Sequence, residues 1–255
     1  MENPNASARS EAFRLYNDEM RTPYLASPEP EPQVAHAAAL IADAGRARML
    51  LALLDGRRLS ASELAMRGGV SPSAASAHLA KLVEGGLLNV ERSGRQRLFG
   101  LANAEIGHAL EALARVAKPA RIVALRQNLL AAELQEARSC YDHLAGRLGV
   151  AITESLVARG VLELDGLKEY RLTPAATAFF ATLDIDVADL RKQSRHFARQ
   201  CIDWSERRPH LAGALGAAVR ERLLQRAWIE RHPSNRAIRI TPAGRIGLAE
   251  RFGLR

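Results

Sequence analysis

The 255-residue chain has two cysteines, and they stand in nearly the same surroundings: Ala137-Arg-Ser-Cys140-Tyr-Asp142 and Ala198-Arg-Gln-Cys201-Ile-Asp203. Asp142 and His143 follow the first thiol. Asp203 and Trp204 follow the second, with His196 and His210 close by. A thiol beside a carboxylate and an imidazole supports three chemistries. Two thiolates and a histidine are adequate ligands for a soft metal or metalloid. Two cysteines whose Cα atoms approach to about 6 Å can form a redox-sensitive disulfide. Arg138, Arg199, Tyr141 and Trp204 could also line a pocket for an organic effector. Packing comes first among these readings, because cysteine behaves as a small, often buried hydrophobe. At i,i+4 spacing, Arg138 with Asp142 and Arg199 with Asp203 fit ordinary helix ion pairs. An effector or redox site at Cys140, Asp142, His143, Cys201, Asp203 and Trp204 ranks second and a metal third, so no residue is assigned as a metal ligand. A cysteine nucleophile would need a positioned oxyanion hole and a partner base. With no nucleophile elbow or Gly-rich phosphate loop in the chain, no catalytic residue and no cofactor is expected.

A second group of residues suits nucleic-acid contact. From Val70 to Leu88 the chain reads Val-Ser-Pro-Ser-Ala-Ala-Ser-Ala-His-Leu-Ala-Lys-Leu-Val-Glu-Gly-Gly-Leu-Leu, and Glu91-Arg-Ser-Gly-Arg-Gln-Arg97 follows. Ser71 can cap a helix whose first residue is Pro72. Val70, Ala74, Leu79, Leu82 and Val83 offer an apolar stripe, opposite Ser73, Ala75, Ser76, His78 and Lys81. A helix entering a major groove needs short side chains near its N-terminus, since bulky ones hold it away from the base edges. Ser71, Ser73, Ala74, Ser76 and His78 are placed for reading, and the alanine methyls can meet a thymine methyl. Lys81 lies nearer the backbone. Arg92, Arg95 and Arg97 offer guanidinium forks to phosphates or a narrow minor groove.

The elements that would hold these residues can be read on either side. Residues 1–33 mix charges with prolines and read as a flexible arm with a short helix around Glu11–Met20. Helical periodicity then covers Val34–Asp43, Arg46–Leu54 and Ser60–Met66, the last opened by the capping-box pair Ser60 and Glu63. Gly68-Gly69 makes the turn to Ser71. Strands are expected at Leu87–Glu91 and Arg97–Leu101 around a turn glycine, and a helix over Asn103–Ala117.

This order resembles the winged helix-turn-helix of the ArsR family of bacterial repressors over residues 35–118. The resemblance rests on Asp43-Ala-Gly-Arg46-Ala-Arg48, Glu63-Leu-Ala65, Ser76-Ala-His78-Leu79-Ala-Lys81-Leu82, Gly86-Leu-Leu88 and the wing Arg92-Ser-Gly-Arg95. It departs from the family where Ala44 or Gly45 replaces a usual proline. The resemblance implies a homodimer formed by the first and last helices, Val34–Asp43 and Asn103–Ala117, on double-stranded DNA. It also implies that His78 helps hold the recognition helix against its neighbour. The family's usual metal sites are not matched: residues 1–139 hold no cysteine, and the last helix supplies only Glu105, His108 and Glu111, which read as a solvated face.

Behind this region the sequence repeats itself. His143-Leu-Ala-Gly matches His210-Leu-Ala-Gly after an insertion Trp204–Pro209, and Tyr170-Arg-Leu-Thr-Pro-Ala175 matches Ile238-Arg-Ile-Thr-Pro-Ala243. Each copy reads as a long helix, two short strands, and a helix begun at Thr173 or Thr241; if the first helix runs through the cysteine, Cys140 and His143 share one of its faces. Helical links are expected over Arg121–Arg138 and Val187–Arg199. Paired about a pseudo-two-fold axis, the copies would share a core neither has alone, and their two Cys-Asp elements could converge on one cleft between them. The expected fold is mainly α with small β-hairpin wings: an arm (1–33), a winged helix-turn-helix (34–120), and two winged-helix-like repeats (about 137–186 and 198–255) in a regulatory region, 121–255.

Composition fits this reading. The chain is 47% hydrophobic and 25% charged, with Lys+Arg 36 against Asp+Glu 28 for a formal charge of +8, so a polyanion is a suitable partner. Two cysteines exclude a disulfide framework. No apolar run reaches membrane-spanning length and no signal-peptide core is visible, so a cytoplasmic, membrane-free protein is expected. The expected function is a homodimeric, sequence-specific DNA-binding regulator, a repressor, with a small-molecule, thiol-reactive or metal effector at the repeats. The alternatives are an interaction protein using its winged helices, and a cysteine-dependent enzyme tethered to DNA. The wings of the repeats differ: Glu163-Leu-Asp165 is acidic and unsuited to phosphate, whereas Arg231-His-Pro-Ser-Asn-Arg236 is basic enough to touch DNA.

Overall fold

The computed structural model describes residues 33–118 and 124–254. The expected helix around Glu11–Met20 and the expected arm lie outside the described residues. By its contacts the chain divides into Met1–Ala39, of which only the last residues are described, and Leu40–Arg255, one compact unit. α1 (Val34–Ile41) crosses that division and carries no Asp, Glu, Lys or Arg.

α2 (Ala44–Ala52) begins at Asp43, whose side chain accepts from Arg46 N at 2.9 Å. A short strand, β1 (Leu59–Ser60), leads to α3 (Ala61–Gly68). There Ser60 and Glu63 form a reciprocal capping box, with Glu63 Oε2 accepting from Ser60 N at 2.8 Å. Gly69 ends α3 in the left-handed region (φ 65°), and Val70 N donates back to Ala65 O at 3.1 Å, so the chain reverses sharply into α4 (Pro72–Glu84). β2 (Leu88–Ser93) and β3 (Gln96–Leu101) form the wing, with Gly94 (φ 59°) in its turn, and β1 adds to it in the order β1-β3-β2. α5 (Ala104–Val116) closes this half. Met49, Leu50, Leu53, Leu64, Leu79, Leu82, Phe99 and Leu110 meet in its core.

After α6 (Leu125–Glu136) the order hairpin, helix, hairpin, helix occurs twice. The first run is β4 (Arg138–Cys140), β5 (His143–Ala145), α7 (Gly146–Ala158), β6 (Leu162–Asp165), β7 (Glu169–Leu172) and α8 (Ala176–Ala181). A single turn, α9 (Val187–Leu190), connects it to the second: β8 (Arg199–Ile202), β9 (Pro209–Ala212), α10 (Gly213–Gln225), β10 (Ile229–Arg231), β11 (Ile238–Ile240) and α11 (Pro242–Phe252). The two runs exchange partners. β7 continues into β8 through Glu169 opposite Arg199, and β4 meets the second run where Arg138 bridges to Ala237. Across the middle, α7 packs on β9 and α10 on β5. Leu148, Ile152, Leu156, Phe180, Leu215, Val219 and Leu223 share one core, so each run buries its apolar face against the other.

Three expectations are corrected. No helix runs through Cys140: the residues form a hairpin, because Ala137 ends α6 in extended backbone (φ −155°) and Tyr141 turns the chain at φ 58°. Arg138–Cys140 and His143–Ala145 are all buried, and the strand ladder satisfies their backbone polar groups. Of Val187–Arg199 only α9 is helical. The Thr173 helix starts at Ala176 instead, since Thr173 Oγ1 donates to Gly160 O (2.6 Å) and accepts from Ala175 N, tying the chain to the end of α7.

Candidate functional site

The recognition helix candidate, α4, presents Ser73, Ser76, Ala77, Ala80 and Lys81 to solvent. Ser71 caps it, accepting from Ala74 N at 3.2 Å, and its Oγ also lies 3.1 Å from that of Ser73. Ser76 Oγ donates to Pro72 O (3.0 Å). Ala74 is half-buried, and Ala75, expected outside, is fully buried in the core with Leu79 and Leu82. The outward face is therefore rotated from the expected one. The small exposed residues Ala77 and Ala80, missed in the sequence, sit at i+4 and i+7 from Ser73 and could have been found from the 75/79/82 apolar spacing. His78 is half-buried, with Nε2 3.6 Å from Asp43 and Nδ1 3.5 Å from Arg46. It fastens α4 to the start of α2.

On the wing, Arg92, Arg95 and Arg97 are exposed, and none has an ion-pair partner among the described residues. Arg92 and Arg97 face each other across the hairpin, with the Arg97 guanidinium 5.4 Å from the Phe99 ring centroid. Like charges directly opposite on a ladder repel, so this pair is suited to an anion brought from outside. α4 packs against β2, which puts helix and wing in one assembly.

The second set of expected residues converges in the interior. Cys140 and His143 are directly opposite in the β4–β5 hairpin, and Cys201 and His210 in the β8–β9 hairpin. The two sulfurs lie 3.9 Å apart, and one ligand atom from each of the four side chains falls within 4.8 Å of the others. Cys140, His143 and His210 are fully buried, and Cys201 retains some exposure. His210 is absent from the expected site residues, because the insertion Trp204–Pro209 separates it from Cys201. Its equivalence to His143 in the repeated His-Leu-Ala-Gly was the signal. The expected i,i+4 ion pairs do not form. Arg138 reaches across to the other run, pairing with Asp203 (2.8 Å) and stacking 4.4 Å from the Trp204 ring, while Asp142 pairs with Arg195 (2.6 Å).

Each imidazole has a carboxylate behind it. His143 Nδ1 is 3.2 Å from Asp142, and His210 Nδ1 is 3.5 Å from Asp203. Asp203 also accepts from the backbone N of Gly146 at 2.7 Å and from Ser205 Oγ at 2.7 Å. Burial pushes Asp142 up, but hydrogen bonds from His143 and Arg195 win and hold it at about 2. Burial pushes His143 down, and Asp142 together with the Cys201 sulfur overrides it, to about 9. Donation from Cys140, opposed by burial and aided by the two imidazoles, holds Cys201 well below an ordinary thiol, while that same contact and burial raise Cys140.

The hairpin turn also docks on the DNA-reading half. Tyr141 N donates to Leu54 O at 2.5 Å, and its ring lies against Gly107 of α5, where a Cβ would approach within 3.2 Å. Arg220 reaches from α10 to Asp55 O and Asp142 O. Glu111, expected on a solvated face, is buried and paired with Arg236. That pairing also corrects the reading of Arg231–Arg236 as a DNA-touching wing. Arg57 donates to the carbonyls of Pro233 and Asn235, and Arg67 to that of Ser234, so this loop is held against the first half.

The geometry defines a winged helix-turn-helix protein carrying a buried cysteine–histidine cluster behind its reading half. The family model described as MarR family matches residues 43–97. Over 224 residues the chain is 41% identical to the HTH-type transcriptional regulator YdfF of Bacillus subtilis (strain 168), spanning 88% of this chain and 99% of that relative. The chain belongs to the HTH-type transcriptional regulators. Among solved structures it is similar to reduced HlyU from Vibrio cholerae N16961, at 31% identity over 34% of this chain and 90% of that one, with a TM-score of 0.31. The homodimeric winged helix-turn-helix domain Mb0332 from Mycobacterium bovis, described as a possible ArsR-family regulator, matches at 28% identity over 33% of this chain and 76% of that one, with a TM-score of 0.29. Among the described residues no helix is long and apolar enough to cross a membrane.

Proposed function

We propose that this regulator is a sequence-specific, homodimeric repressor. Its reading half (34–120) is ArsR-like and its regulatory half (121–255) consists of two winged-helix-like repeats, about 137–186 and 198–255, through which a signal reaches the DNA-binding surface. The observation that carries the DNA-binding part is the pairing of a helix face of small residues, Ser73, Ser76, Ala77 and Ala80, with a wing whose three arginines have no ion-pair partner among the described residues. Small residues admit the helix to a major groove, and the arginines anchor it on phosphates. Ser71 and His78 position α4, through its cap and through Asp43 and Arg46 respectively.

A homodimer is supported by exposed apolar side chains on the helices around the reading half. Leu113 and Val116 of α5 are exposed, as are Leu125 and Leu129 of α6. A second copy is the occupant that also satisfies the binding problem, since one winged helix covers too few base pairs for regulatory affinity. The test is a salt titration of DNA binding by Lys81→Ala with Arg95→Ala. Affinity should fall for every sequence, and the slope of log K against log salt should shrink by about 0.9 for each phosphate no longer neutralised. An isotherm and slope equal to those of the parent would overturn the assignment.

A further inference from the structure

We infer that Cys140, His143, Cys201 and His210 form a tetrahedral site for a single zinc(II) ion, and that its occupancy sets how the repeats hold the reading half. The regulatory clause rests on the DNA-binding function proposed above; the metal site does not.

Geometry supports four-coordination. With metal–sulfur bonds of about 2.3 Å, tetrahedral zinc holds its two sulfurs about 3.8 Å apart. Cys140 and Cys201 hold theirs at 3.9 Å, and all four ligand atoms fall within 4.8 Å of one another. Both hairpins present their ligands in the same way, a cysteine directly opposite a histidine. Gly149 and Gly216 lie beneath the partner run's histidine, His210 and His143 respectively, and in each a Cβ would also collide with a carbonyl of the preceding strand. The backbone has been brought close at both positions, which lets the two hairpins face each other.

Polar satisfaction points the same way. Nε2 of His143 and Nε2 of His210 are buried with no hydrogen-bond partner among the described residues. Leaving such nitrogens without a partner is costly. A metal would take Nε2 of each ring, with Asp142 and Asp203 behind the Nδ1 atoms, the arrangement in which carboxylates fix the tautomer of zinc-bound histidines. A Cys140–Cys201 disulfide would leave those imidazole nitrogens unpartnered.

Charge also balances. Asp142 is matched by Arg195 and Asp203 by Arg138, so neither carboxylate has charge to spare for the cluster. When zinc(II) displaces the remaining thiol proton and the extra proton of the His143 imidazolium, two thiolates, two neutral imidazoles and one dication sum to zero, which a buried site tolerates. Sulfur and imidazole ligands favour zinc over magnesium or calcium. The exposed edge of Cys201 is the side from which an ion can arrive.

The turn between two of the ligands couples the site to the reading half. Tyr141 lies between two ligands in sequence and, at φ 58°, seats its backbone on Leu54 and its ring on Gly107 of α5. Fixing Cys140 and His143 on an ion fixes that turn, and with it the packing against α5.

The test uses the full-length reduced protein, stripped with a chelator and titrated with cobalt(II) and then zinc(II). One cobalt per chain, with the visible bands of tetrahedral coordination and sulfur-to-cobalt charge transfer that zinc abolishes, is the expected result. Cys201→Ser should lose about half of the charge transfer, and zinc should protect both parent thiols from alkylation. No stoichiometric uptake by the parent protein, or uptake without charge transfer, would overturn the site; because these readouts use the parent, a variant that fails to fold cannot obscure them. DNA affinity is then compared between stripped and zinc-loaded forms, and a change of at least about fivefold is expected, diminished in Tyr141→Ala. Equal affinity in the two forms would overturn the regulatory clause. Absence of DNA binding in both, with the metal spectrum intact, would instead bring down the function proposed for the reading half.

Discussion

At the scale of single residues, the wing gives a prediction with two opposite signs. Arg92 and Arg97 are cross-strand neighbours with no carboxylate partner among the described residues, so their repulsion costs stability in the free protein. Replacing Arg92 with Ala should raise the melting temperature slightly, by the equivalent of about 0.2–1 kcal/mol, while weakening DNA binding. Thermal unfolding and a binding isotherm on the same sample check both signs, and a decrease in both stability and affinity would point to a structural role. The arginines were legible in the sequence because a charged hairpin turn has few other readings. The exact outward face of α4 was not, since alanine is compatible with core and surface alike; only packing put Ala75 inside and Ala77 outside. Tyr141 was visible only as an aromatic residue beside a cysteine, because its docking on Leu54 and Gly107 depends on a turn no local pattern announces.

Among the elements, helix starts were the most readable features. Ser60 with Glu63 and Ser71 with Pro72 cap the helices expected of them, and Asn103, expected as the first residue of its helix, caps it. Ser60→Ala should remove a capping hydrogen bond and destabilise the protein by about 1 kcal/mol, checked by denaturant unfolding. Acid should act on the same sites. A backbone hydrogen bond from Arg46 holds Asp43 below its ordinary 3.8, and the Ser60 side chain followed by its backbone holds Glu63 below its ordinary 4.5. Both folded-state values are depressed, so their stabilisation is complete above those ordinary values and is lost as pH falls through the depressed ones. Stability measured at descending pH should therefore be flat until about pH 4.5 for these two groups and then decline, less steeply in Ser60→Ala. The β4–β5 hairpin was the element misread, as helix. Ala-Arg-Ser-Cys is compatible with either structure, and pairing with His143–Ala145 and burial from both sides decided for strand.

For the molecule as a whole, the repeat and the convergence of its two cysteines were legible, and the strand exchange that produces the convergence was not. Matching segments announced two similar runs, but not that each run's hairpins would extend those of the other, which is what brings Cys140 and Cys201 together. Long-range exchange of this kind leaves no local trace in the chain. The same scale carries the prediction for assembly. Leu113→Glu with Val116→Glu places charges on an exposed apolar stretch of α5 and should convert a dimer to a monomer in sedimentation, with a drop in DNA affinity far exceeding that of any single wing variant. Whether α4 reads a two-fold DNA site is decided by selecting bound duplexes from a random library with the purified protein and footprinting the winners. Two inverted half-sites with centres about 10–10.5 base pairs apart, or a multiple of that spacing, are expected, with protection abolished when Ser76 is replaced by Glu. Enrichment of no sequence, or selection unaltered by Ser76→Glu, would contradict it.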